Sequence, residues 1–93
     1  MEGRRMEVLL VEDEGAHIEL IRRGLSSARR AIHLHTVGTL GEAVDSLSRS
    51  TPDLVIADLC LPDGKGSEIL RVQNVEHRAC PVLIMTGYGD EKI

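Results

Sequence analysis

Aromatic residues are almost missing from this chain: among its 93 residues there is no Trp, no Phe and a single Tyr, Tyr88. The core must therefore be aliphatic, built from Leu, Val, Ile, Ala and Met. Cysteine is scarce as well. Cys60 and Cys80 are too few for a disulfide scaffold and stand in no metal-type spacing, so both read as inert thiols buried in apolar surroundings. Positive charge is not in excess. The formal net charge is −4, which gives no electrostatic footprint for direct nucleic-acid binding. Long apolar runs are lacking too: the charged start at Met1–Met6 leads into only four apolar residues, too few for a signal peptide or a membrane span. The expectation is a cytoplasmic, reduced protein that does not enter a membrane, with residues 1–93 forming one domain with a modest core.

What is present is an alternation of strand and helix signals. Val8-Leu9-Leu10-Val11 is an uninterrupted apolar run, as in a strand buried on both faces, and it ends in Glu12-Asp13-Glu14. From Gly15 to Arg30, Ile18, Ile21, Leu25 and Ala28 recur at helical spacing, with His17 expected to face solvent. Ile32–Val37 alternates, which marks a half-exposed strand carrying His33 and His35 on one face. Thr39-Leu40-Gly41-Glu42 has the spacing of a capping box and opens a second helix. Asp53–Asp58 is a second buried strand, followed by a loop rich in turn formers at Leu61–Gly66 and a short helix capped by Ser67. Pro81–Met85 is another buried strand, and Asp90–Ile93 resembles the start of a helix. Strands alternating with helices predict an α/β protein with a doubly wound parallel sheet.

In such a sheet, functional groups gather where the strands end at their C-termini. Three strand ends then converge, bringing Glu12 and Asp13, Asp58, and Thr86. Carboxylates this close raise one another's proton affinity, and a divalent cation removes the conflict. An all-oxygen donor set with open positions suits Mg²⁺, which favours phosphate co-ligands. Thr86 can donate its hydroxyl to a phosphoryl oxygen, and Asp58 is placed to act as the nucleophile, giving an acyl phosphate. Each residue taken separately has a plainer use, as a helix cap or a paired strand-end acid.

Three stretches resemble the signature of the response-regulator receiver domain: Val8–Glu14, Asp53–Gly66 and Val82–Gly87. The resemblance runs from about residue 6 through the rest of the chain. It implies a flavodoxin-like receiver fold, of which this chain supplies strand order 2-1-3-4. It further implies that Asp58 accepts a phosphoryl group from a histidine kinase or phosphotransfer protein, and that Glu12, Asp13, Asp58 and the Cys60 backbone carbonyl bind Mg²⁺. Thr86 would contact the phosphoryl group and move with it, while Pro62 and Gly64 shape the adjoining loop. Glu12 stands where many members carry Asp, and either residue supplies a carboxylate.

The family pattern continues with a fifth strand, ending in a Lys that pairs with the phosphoryl group, and a fifth helix; neither is in this sequence. Lys65 and Lys92 occupy other positions, and Tyr88 is not the family's aromatic switch residue. Val82–Met85 is then expected to form an open apolar edge, covered by a homodimer partner, by domain swapping or by residues outside these 93. Two alternatives to a phosphoacceptor signalling module are a binding module of the same fold that works without phosphorylation, and an aspartyl-nucleophile phosphatase. The phosphatase reading is poor, because that chemistry wants a second acid two residues after the nucleophile and Cys60 stands there. The sequence therefore reads as a non-enzyme.

Overall fold

A computed structural model describes residues 5–76 and 80–86. Among the described residues, six strands and three helices follow in the order β1 (Met6–Val11), α1 (Gly15–Ser26), β2 (Ile32–Val37), α2 (Leu40–Arg49), β3 (Leu54–Asp58), β4 (Cys60–Leu61), β5 (Gly64–Lys65), α3 (Glu68–Glu76) and β6 (Val82–Met85). The main sheet is parallel, in the order β2-β1-β3-β6. The expected order 2-1-3-4 is thus observed, β6 being the fourth strand of that sheet.

The unbroken apolar runs have a simple cause. Successive strand residues point to opposite faces, so a strand covered on both sides has no position to spare for a polar side chain. Val8, Leu10 and Ile56 pack on one face with Ile18 and Ile21 of α1. Leu9, Val11, Val55 and Ala57 pack on the other with Ala43 and Leu47 of α2 and Ile69 of α3. Helices therefore lie on both sides of the sheet, as a doubly wound fold requires.

Several local features differ from the expectation. The first helix stops at Ser26, one turn early, where the Ser26 and Ser27 hydroxyls turn back to the carbonyls of Arg23 and Gly24. Such bonds compete with helix propagation. Glu14 is the N-cap residue of α1, with extended backbone. At α2, the Thr39 hydroxyl accepts the Glu42 N–H at 3.0 Å as predicted, while Glu42 reaches one residue further back, to the Gly38 N–H at 2.8 Å. The turn-rich stretch after Asp58 is a tight antiparallel hairpin, with Cys60 paired to Lys65 and Leu61 to Gly64.

Alternation in that hairpin buries Leu61 and turns Cys60 outward, so Cys60 is exposed and Cys80 half-buried; the expectation of two buried thiols is corrected. β2 is an edge strand with exposed His33 and His35, as expected, and His33 Nδ1 lies 2.8 Å from Glu7 on the neighbouring strand. β6 is the other edge among the described residues, with Leu83 55 % exposed. Gly87, Tyr88 and the helix start at Asp90–Ile93 fall outside the described residues. Among those described, no helix is long and apolar enough to cross a membrane.

Candidate functional site

The register of the central strands brings the acids together. Val11 pairs with Ala57 and Asp58 with Met85, so Glu12, Asp58 and Thr86 leave the sheet side by side at one end. Main-chain bonds fix these strand ends: the Glu12 N–H donates to Val37 and the Leu59 N–H to Met85, both at 2.9 Å. Glu12, Asp13 and Asp58 each offer a carboxylate oxygen, all within 4.8 Å of one another.

Burial separates their roles. Asp13 is exposed and Asp58 half-buried, while Glu12 is 1 % exposed. Its Oε2 accepts the Glu14 N–H at 3.1 Å and lies 3.3 Å from His17 Nδ1. Its Oε1 is buried with no hydrogen-bond partner. A carboxylate oxygen stranded in this way costs a few kcal/mol unless something positive meets it. Burial is the main force raising the Glu12 carboxyl above its ordinary value, and the nearby Asp58 charge adds to it; the Glu14 amide and His17 pull the other way. A divalent cation fits the donor set. The oxygens are hard, two of the three side chains reach solvent, and the buried Oε1 gains a partner.

The loop beyond Asp58 is held by backbone geometry. Gly66 is buried, and its N–H donates to Leu59 at 2.9 Å. A Cβ there would lie inside the contact radius of the Asp58 carbonyl oxygen, with the Ala57 Cβ only 3.3 Å away. Gly64 has φ +155°, and a Cβ there would meet Leu40 at 2.9 Å. Asp63 ties this hairpin to α2: its two oxygens accept the Leu40 and Gly41 N–H groups at 2.7 and 3.0 Å. Those two bonds hold the Asp63 carboxyl below its ordinary value. Asp63 had only a turn former's place in the sequence. A partner 22 or 23 residues away leaves no local pattern.

Thr86 is exposed at the end of β6 and lines a cavity of about 250 Å³ with Asp58, Glu12, His17, Leu20, Ile21 and Met85. The Cys60 side chain points away, and its N–H is 3.5 Å from Asp58 Oδ1, too long for a strong bond. His17 corrects the expectation of a solvent-facing residue: its side chain is 33 % exposed and turned onto Glu12. The helix begins at Gly15, so His17 falls in its first turn, beside the strand end that β1 has just left. The helical signal from Gly15 is present in the sequence, but the apolar stripe alone leaves His17 on its outer face.

The sequence model of the response regulator receiver domain matches residues 8–93. Regulatory protein LuxO of Vibrio vulnificus (strain YJ016) is 36% identical over 80 residues, which cover 86% of this chain and 17% of LuxO. Response regulator protein PilR of Pseudomonas aeruginosa is 31% identical over 85 residues, covering 91% of this chain and 19% of PilR. The chain thus spans under a fifth of either relative. Among solved structures, the signal receiver domain of a LuxO protein from Vibrio parahaemolyticus superposes with a TM-score of 0.79 at 32% identity, covering 96% of this chain and 67% of that one. The phosphorylated cyanobacterial phytochrome response regulator RcpA gives 0.81 at 28% identity, covering 96% and 70%. With the parallel 2-1-3-6 sheet and the acids at its C-terminal end, these matches establish that the chain belongs to the response regulator receiver domain family, the signalling modules of two-component systems.

Proposed function

We propose that these residues form a phosphoacceptor site in a single receiver domain spanning the chain, with Asp58 receiving a phosphoryl group from a histidine kinase or phosphotransfer protein in the cytoplasm. One observation carries the reading: three carboxylates within 4.8 Å of one another include a buried Glu12 oxygen with no partner. A site built only for stability would not keep that arrangement. The structure of phosphorylated RcpA supports the same chemistry in a relative of like fold.

Glu12, Asp13, Asp58 and the Cys60 backbone carbonyl would hold Mg²⁺. The ion, when bound, neutralises charge on the acids and on an incoming phosphoryl group. Asp58 is half-buried at the open end of the sheet, so one carboxylate oxygen can approach phosphorus. As the new O–P bond forms, the bond from phosphorus to the donor's imidazole nitrogen breaks, and that nitrogen keeps the electron pair. Thr86, on the rim of the same cavity, donates its hydroxyl to a phosphoryl oxygen. Mechanistically this is positioning and charge neutralisation, and it calls for no further acid or base from the chain. Cys60 supplies no carboxylate at the position, two residues after Asp58, where an aspartyl-nucleophile phosphatase wants its second acid.

The test is acetyl phosphate with Mg²⁺ on the longest chain that carries these residues, followed by intact mass. The expected product is one labile phosphoryl adduct, lost in Asp58→Asn. No adduct, or one that survives the substitution, overturns the proposal.

A further inference from the structure

We infer that His17 is a positioning residue for the cation site, acting through Glu12. This rests on the reading of Glu12 as a ligand. The geometry is specific. Glu12 Oε2 is held from two sides, by the Glu14 N–H at 3.1 Å and by His17 Nδ1 at 3.3 Å. These two contacts on Oε2 fix the orientation of the carboxylate; Oε1 is buried without a hydrogen-bond partner, and Glu12 offers an oxygen within 4.8 Å of oxygens of Asp13 and Asp58. The Glu14 contact is main-chain and any residue there would supply it. The His17 contact depends on the side chain.

With Glu12 ionised, Nδ1 carries the hydrogen and donates. The imidazole is aimed by α1, whose first turn is set by the Ile18 N–H to Glu14 bond of 3.0 Å. It also borders the cavity that Asp58 and Thr86 share. A ligand carboxylate fixed by a donor behind it loses less freedom on binding a cation, and removing such outer partners costs metal sites about 10- to 100-fold in affinity.

The experiment is calorimetric titration of Mg²⁺ into the apo protein, with thermal melts in parallel. His17→Ala is expected to weaken Mg²⁺ binding about tenfold or more, while the melting midpoint without metal stays close to that of the wild type. His17→Asn places an amide N–H where Nδ1 stood and is expected to recover most of the affinity. If His17→Ala does not fold, His17→Leu, which keeps the bulk and loses the donor, takes its place. Wild-type affinity in His17→Ala, with binding lost in Asp13→Asn, overturns the role of His17 and leaves the phosphoacceptor reading standing. Equal losses in the Ala and Asn variants also overturn it, since packing and not the donor would then be responsible. Failure of the wild type to bind Mg²⁺ overturns both.

Discussion

Asp58→Asn is expected to make the metal-free protein more stable while abolishing its response to Mg²⁺. The side chain keeps its shape and loses its charge. Two unit charges 4.8 Å apart repel by about 3.5 kcal/mol at an effective dielectric constant of about 20, and by about 0.9 kcal/mol in bulk water. Asp13 is exposed, so its pairs lie near the lower figure; Glu12 is 1 % exposed, so its pair with Asp58 lies nearer the higher one. Part of that repulsion is relieved by proton uptake at Glu12, whose carboxyl is already raised. The net gain on neutralising Asp58 is then about 1–3 kcal/mol, which in a domain of this size raises the midpoint by at least about 4 °C. Circular-dichroism melts in EDTA and in excess Mg²⁺ measure both effects. The wild type should rise with Mg²⁺, and the variant should start higher and stay there. A variant less stable than the wild type in EDTA refutes the claim that the three acids strain the empty site.

Two more expectations follow from the same geometry. Gly66→Ala forces a methyl group against the Asp58 carbonyl, and should cost about 2 kcal/mol or more in urea unfolding, with weaker Mg²⁺ binding as the Asp58 backbone shifts; wild-type stability would refute it. Glu12 and Asp63 impose opposite pH dependences. The raised Glu12 carboxyl favours folding below its ordinary 4.5, and that stability is lost as pH rises through the raised value, whereas the lowered Asp63 carboxyl favours folding above its ordinary 3.8 and loses that stability as pH falls. Metal-free melts against pH should therefore show a decline above about 4.5 that Glu12→Gln removes; a decline that persists in Glu12→Gln has another source.

The fold was legible because its signals are local. Apolar runs such as Val8–Val11 and Leu54–Ala57, set between helical stripes, leave few arrangements other than a parallel sheet with helices on both faces. The acids were legible because strand ends in such a sheet converge, so Glu12, Asp13 and Asp58 could be placed together without coordinates. What the sequence hid depends on side-chain reach across the fold. Asp63 grips the α2 N-terminus across the hairpin, and the small β4–β5 ladder replaces an expected loop. His17 turned inward to meet Glu12 at the end of β1, a side-chain contact that the helical stripe read from Gly15 does not encode. Cys60 turned outward because a two-residue strand alternates even where its neighbours are apolar.

The alternation in β3 has a further consequence, since it acts as a ruler. Val55 and Ala57 face α2 and α3 while Ile56 faces α1, and Asp58 follows at the step where the strand ends. Inserting one residue into β3 would exchange the faces of the residues after it and present Ala57 where the carboxylate belongs. Inserting two would restore the faces but carry the acid roughly 6–7 Å beyond Glu12, at about 3.3 Å per residue. No change in the length of this strand preserves both the packing and the chemistry. Of all the segments in the chain, β3 should tolerate insertion and deletion least.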